Sequence, residues 1–68
     1  MIEVFRTNVN SAQQADMITA LLLHSYPSAA ITFDLEDCDR ILRIEGMHSP
    51  QDVIAILMSH GYDCQPLP

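Results

Sequence analysis

The sequence is poor in basic residues, in aromatic residues and in cysteine. Its 68 residues include three Lys plus Arg against nine Asp plus Glu, which gives a formal net charge of -6 at pH 7. A nucleic-acid-binding surface needs clustered positive charge to neutralise phosphates, so we expect no nucleic-acid partner. Two cysteines, Cys38 and Cys64, are too few for a disulfide framework. We expect both to be free thiols in a cytoplasmic protein.

A long hydrophobic run is also missing. The longest apolar stretch, Val53 to Met58, falls far short of the roughly 20 residues that span a bilayer. Glu3 and Arg6 interrupt the apolar residues near the start, so we expect neither a signal peptide nor a membrane partner. A chain of 68 residues that is 49% hydrophobic has the size of one small globular domain, and we predict a single domain over residues 1–68.

The spacing of apolar residues predicts six secondary-structure elements. Alternating patterns typical of strands and three- to four-residue patterns typical of helices follow one another in the order strand, helix, strand, strand, helix, strand. The predicted segments are 1–7, 11–24, 29–35, 40–45, 49–60 and 62–65. This order predicts an α+β fold of the ferredoxin-like βαββαβ type, with a four-stranded antiparallel sheet and two helices on one face.

Helix-start signals precede both predicted helices. Ser11 followed three residues later by Gln14 forms a capping box, in which each side chain satisfies a backbone N–H that the helix leaves unpaired. Ser49 and Pro50 are an N-cap residue and a proline at the first helical position. Gly61 is suited to the left-handed conformation that follows a helix.

These features resemble the heavy-metal-associated domain, the family of small copper chaperones and of N-terminal modules of metal-pumping ATPases. In that family the first loop reads Gly-Met-x-Cys-x-x-Cys, an Ile comes after three further residues, and the second helix ends in Gly-Tyr. Here Ile18, the pair Leu21-Leu22 and Gly61-Tyr62 occupy the family's scaffold positions, while Ser11 and Gln14 occupy the places of the two Cys.

The resemblance implies the ferredoxin-like fold, and for the family it implies a thiolate site for Cu(I). A hydroxyl and an amide are neutral, hard oxygen donors and cannot replace two thiolates. We therefore expect no metal at Ser11 and Gln14, and no cofactor. No nucleophile is paired with a base and no glycine-rich phosphate loop is present, so we do not expect an enzyme. The expected function is a protein-interaction or oligomerisation module, with a homodimer as one form of it.

An alternative is a protein that binds or transfers copper or zinc through non-standard ligands. In the predicted topology the first loop, the tip of the central hairpin and the turn at His60 lie at the same edge of the sheet. Cys38 at the hairpin tip and His60 could then provide a thiolate and an imidazole for Cu(I) or Zn(II). Cys64, on the last strand, is expected to be a buried and unreactive thiol.

Three surfaces are candidates for protein contact, and the third is the edge of each end strand, which could pair with a partner strand. Phe5 and Ile41 are predicted on the sheet face that carries no helices, inside a charged rim, which is the composition of a modest interface. Ile54 and Met58 lie off the core-facing side of the second helix, whose apolar surface is wider than a two-layer fold requires. The alternative explanation of the wide apolar surface at Ile54 and Met58 is a wide core in a small domain.

Overall fold

The computed structural model describes residues 1–68 and contains the six predicted elements in the predicted order. They are β1 (Ile2–Thr7), α1 (Ala12–Ser25), β2 (Ala30–Asp34), β3 (Ile41–Glu45), α2 (Pro50–Ser59) and β4 (Cys64–Pro66). The strands form one antiparallel sheet in the order β2-β3-β1-β4, and both helices pack against it. The ferredoxin-like α+β fold is therefore confirmed. Neither helix has the length and apolar content needed to cross a membrane.

The core lies between the sheet and the two helices. From α1, Ile18 and Leu22 are fully buried, and from α2 the corresponding residues are Val53 and Leu57. Each pair is spaced four residues apart, so both side chains project from one face of their helix. Together with residues of β1, β3 and β4 they form one contiguous hydrophobic cluster.

The end of α2 is closed by a Schellman motif. Gly61 has a φ of +87°, as predicted, and its N–H donates to the Met58 carbonyl oxygen. The N–H of Tyr62 donates to the Leu57 carbonyl oxygen, so that two of the last free carbonyl groups of the helix are paired. Because Tyr62 completes the helix end, the final strand begins at Cys64, and the prediction that it begins at residue 62 is wrong.

The face of β1 that carries Phe5 packs toward the helices. The predicted position of Phe5 on the open sheet face is therefore wrong. Phe5 is fully buried and is paired with Leu42 of β3, which is also fully buried. Both alternating sets of β1 contain apolar residues, and burial of the large aromatic ring removes more apolar surface from water than burial of Ile2, which is 55% exposed. The open face instead carries Ile2, Val4 and Ile41, and Phe5 cannot contact a partner there.

The orientation of β1 can be tested by truncating one side chain on each face. We expect Phe5→Ala to lower the free energy of unfolding by about 3–5 kcal/mol, since it leaves a cavity in the core. Ile2→Ala, the matched change three residues away on the open face, should cost less than about 1 kcal/mol. Urea unfolding followed by circular dichroism measures both, and equal losses would contradict the described orientation.

Candidate functional site

Three loops meet at one end of the molecule, as the sequence predicts. The N–H of Thr7 donates to the Asp39 carbonyl oxygen (3.0 Å) and its hydroxyl donates to the Arg40 carbonyl oxygen (2.6 Å), which joins the end of β1 to the β2–β3 hairpin. The N–H of Asp63 donates to the Asn8 side-chain oxygen (2.8 Å), which joins the first loop to the turn after α2. The first loop is therefore held between two neighbours.

The first loop is folded around its own backbone groups. Val9 is fully buried beneath the loop, and its N–H donates to the Thr7 hydroxyl oxygen (3.2 Å). Ser11 is the N-cap of α1, with extended backbone angles, and its hydroxyl oxygen accepts from the N–H of Gln14 (3.1 Å). The side-chain oxygen of Gln14 accepts from the N–H of Asn10 (3.0 Å).

This arrangement confirms that Ser11 caps α1. The other predicted contact of the capping box, from the Gln14 side chain to the N–H of Ser11, is wrong. Gln14 reaches past the N–H of the N-cap residue to that of Asn10, one residue earlier, so its side chain closes a wider turn than the standard motif. Each of the two side chains that occupy the ligand places of the resembled family is thus used by a backbone N–H. Both offer neutral, hard oxygen atoms, and they do not fit a soft metal ion.

Cys38 lies exposed at the tip of the β2–β3 hairpin, between Asp37 and Asp39. The thiol sulfur and one oxygen from each carboxyl group lie within 4.8 Å of one another, and no other three His, Cys, Asp or Glu side chains come this close. The Asp37 carboxylate also accepts the N–H of Asp39 (2.8 Å). The guanidinium of Arg40 donates to the Leu35 carbonyl oxygen (3.0 Å), which links the two ends of the hairpin loop.

His60 does not belong to that group. Its Nδ1 lies 2.9 Å from the Ile56 carbonyl oxygen and 3.1 Å from the Ser59 hydroxyl oxygen, so Nδ1 carries the proton that is donated within α2. The predicted pair of Cys38 and His60 is therefore placed at the same end of the fold without forming a three-ligand site. A metal ion there would meet one thiol and two carboxylates in solvent.

Cys64 is 6% exposed within the core cluster, as predicted. Desolvation by burial raises the pKa of its thiol from an ordinary 9.0 to about 11. The thiol therefore stays protonated at neutral pH and is a poor nucleophile and a poor metal ligand. Of the two cysteines, Cys38 alone is accessible for chemistry.

A polar contact at the opposite end of the molecule was missed by the sequence analysis. The Tyr26 hydroxyl accepts from the N–H of Ser49 (3.2 Å) and donates to the Asp52 carboxylate (3.3 Å), which ties the end of α1 to the start of α2. The ring of His48 packs edge-on against Tyr26 and its Nδ1 donates to the Gly46 carbonyl oxygen (2.8 Å). Nothing in the sequence distinguishes Tyr26 from an ordinary turn residue, because its partners are more than 20 residues away.

Comparison with known proteins gives a likeness of fold. No protein-family model matches the chain, and no curated protein matches it either. A solved structure described as a gold binding protein superposes with a TM-score of 0.84 and covers 96% of this chain and 98% of its own. The two sequences are 17% identical over this alignment. The likeness shows that the chain has the same fold as that protein.

If the Ser11 hydroxyl caps α1 as described, it contributes measurably to the free energy of unfolding. We expect Ser11→Ala to lower the free energy of unfolding by about 1 kcal/mol, because an N–H at the start of α1 loses its acceptor. Ser28→Ala, a change of the same kind at an exposed turn residue, is the control and should be near neutral. An equal urea midpoint for the two variants would show that the Ser11 hydroxyl is not needed by the helix.

Burial of Cys64 predicts a dependence of stability on pH. Because its folded-state pKa is raised to about 11 from 9.0, the folded state holds the proton more tightly, and this contribution is complete below pH 9 and is lost as the pH rises toward 11. We expect the unfolding midpoint to fall more steeply over this interval in the wild type than in Cys64→Ala. Parallel slopes would contradict burial of the thiol.

Iodoacetamide should label Cys38 alone in the native protein near neutral pH.

Proposed function

We propose that this chain is a non-catalytic, cytoplasmic module of the heavy-metal-associated type that has lost its thiolate site and acts through protein contacts. The observation that carries the proposal is the use of the Ser11 and Gln14 side chains in capping α1. In these places the resembled family has the two cysteines that hold a soft metal ion. Two neutral oxygen atoms that already accept backbone N–H groups provide no soft donor for such an ion.

Exposed apolar residues support contact with another protein. Met58 on α2 is 61% exposed, whereas Ile54 on the same helix is half-buried against the core. On the open sheet face Ile2 is exposed and Val4 and Ile41 are half-buried, beside the ion pair of the Arg43 and Glu45 side chains. Of the predicted contact residues, Ile41, Ile54 and Met58 thus remain candidates.

A second candidate function is the binding of Cu(I) or Zn(II) at the hairpin tip. It is favoured by the grouping of the Cys38 sulfur with the carboxylates of Asp37 and Asp39, and by the description of the structural neighbour as a gold binding protein. The set mixes one soft thiolate with two hard carboxylates, and His60 donates its Nδ1 proton within its own helix. For this reason we place it second.

A metal titration separates the two functions. We expect the wild type and Cys38→Ser to hold Cu(I) equally weakly against a competing chelator under reducing conditions. Installing two cysteines, as Ser11→Cys with Gln14→Cys, should tighten Cu(I) binding by at least about 100-fold, or ~2.8 kcal/mol. The thiolates of this variant lie at the start of α1, where the helix dipole favours negative charge.

The outcomes are distinct for each function. Tight one-to-one binding by the wild type that disappears in Cys38→Ser supports the hairpin-tip site and contradicts the protein-contact proposal. Tight wild-type binding that survives Cys38→Ser and is lost in Ser11→Ala would mean that the first loop is a metal site after all. Circular dichroism of each variant checks that the fold is retained.

A further inference from the structure

The two edges of the sheet differ in their free backbone groups. Gly46 donates its N–H to the Met1 carbonyl oxygen (2.8 Å), so residues 42, 44 and 46 direct their N–H and C=O groups toward β1. Because these groups alternate in direction along an antiparallel strand, residues 41, 43 and 45 direct theirs toward β2. Within β2, Ala30, Thr32 and Asp34 are then paired with β3. Ile31 and Phe33 direct their N–H and C=O groups to the open edge.

The β4 edge is poorly suited to a further strand. The N–H of Leu67 donates to the Val4 carbonyl oxygen (2.8 Å), so Pro66 and Cys64 are the residues of β4 whose backbone groups face away from the sheet. Proline has no N–H to donate, and β4 is three residues long, both of which protect an edge against pairing. β2 has five residues, Ala30–Asp34, without a proline, a lysine or a bulge. The unprotected edge of this sheet is therefore β2.

The hydrophobic core continues to the β2 edge and is incompletely covered there. Ile31 and Phe33 pack against the core cluster, yet each is only half-buried. An open groove of about 380 Å³ lies beside them, bounded by Leu35 and by the flank of α1 that includes Ala12, Asp16 and Thr19. A strand added at this edge would remove more of the two side chains from water while pairing their free backbone groups.

We propose that β2 pairs antiparallel with β2 of a second copy of this chain, about a two-fold axis at Thr32, to form one continuous sheet. The proposal rests on the protein-contact function above and names its partner. In this register Ile31 lies opposite Phe33 of the second copy, and the reverse pair is its symmetry mate. Both residues have outward backbone groups, so each pair exchanges both of its N–H···O bonds.

The side chains along β2 are self-complementary in that register. The apolar pair of Ile31 and Phe33 meets on the helix-covered face, an aromatic and β-branched combination that stabilises neighbouring strands. On the open face Thr32 lies opposite its own copy, and Asp34 lies opposite uncharged Ala30. No carboxylate faces a carboxylate across the new strand pair. The β2 strands of two copies can therefore pair without a directly opposed like charge between them.

The size and charge of the chain determine how strong this dimer can be. A standard interface covers about 800 Å² of each partner, roughly a fifth of the 4266 Å² surface of this molecule. A five-residue edge with the adjoining flank of α1 is a small contact on this scale. Each copy carries a net charge of -6, so screening by salt favours association. We expect a concentration-dependent dimer that becomes tighter as salt is raised.

Sedimentation equilibrium of the full chain in buffer with a metal chelator tests the proposal. The mass should rise with concentration from 7.6 kDa toward twice that value. Thr32→Glu faces Arg43 within one copy, so the monomer should stay folded, but it opposes a second carboxylate across the axis. We expect the dimer dissociation constant to rise at least ~10-fold. Gln65→Glu adds the same charge to the same sheet face at the β4 edge and should leave the constant unchanged.

A disulfide trap tests the register itself. Opposed residues of a non-hydrogen-bonded pair have Cα atoms about 4.5 Å apart, within disulfide range. In a Cys38→Ser background, Thr32→Cys should give a covalent dimer on mild oxidation, and Ala30→Cys should not. A chain that is monomeric at every concentration, or a dimer that resists Thr32→Glu, overturns the proposal and leaves the edge to a strand of another protein. Both results are independent of the metal titration, which alone decides the loss of the thiolate site.

Discussion

The N–H groups in the first turn of α1 must find acceptors outside the helix, and this requirement fixes the first loop. Ser11 and Gln14 supply side-chain oxygens to two backbone N–H groups at the start of the helix, and the Thr7 hydroxyl serves the N–H of Val9 next to them. Val9 can then fill the core under the loop. The same atoms are neutral, hard oxygen acceptors that already serve backbone N–H groups, and they do not suit a soft metal ion.

Solvent exposure determines which of the two cysteine thiols can react. Cys64 is kept protonated by burial, with a pKa of about 11, and Cys38 stands alone among carboxylates at the hairpin tip. The one accessible thiol therefore lies at the hairpin tip, and the first loop has no thiol. The molecule also has an unpaired strand edge, that of β2, where another strand could bind.

Much of the fold and part of the site could be predicted from the sequence. The element order and both N-caps follow from local signals, because Ser11 and Ser49 each act on an N–H three residues away. The sequence did not predict which face of β1 points inward. Phe5 and Ile2 offer apolar side chains on opposite faces, and only packing against β3 decides between them. The Tyr26 tie between the helices depends on residues distant in sequence and carries no local signal. The free edge of β2 required the hydrogen-bond alternation of β3.

The central claim is that the first loop is a helix cap and not a metal site. The most direct measurement is to follow the amide resonances of Asn10 and Gln14 by ¹H–¹⁵N NMR while Cu(I) is added under reducing conditions. The account predicts that both stay at their metal-free positions, because their N–H groups remain bonded to the Gln14 and Ser11 side chains. Saturable, one-to-one shifts of these two resonances, ahead of any change at the hairpin tip, would contradict it.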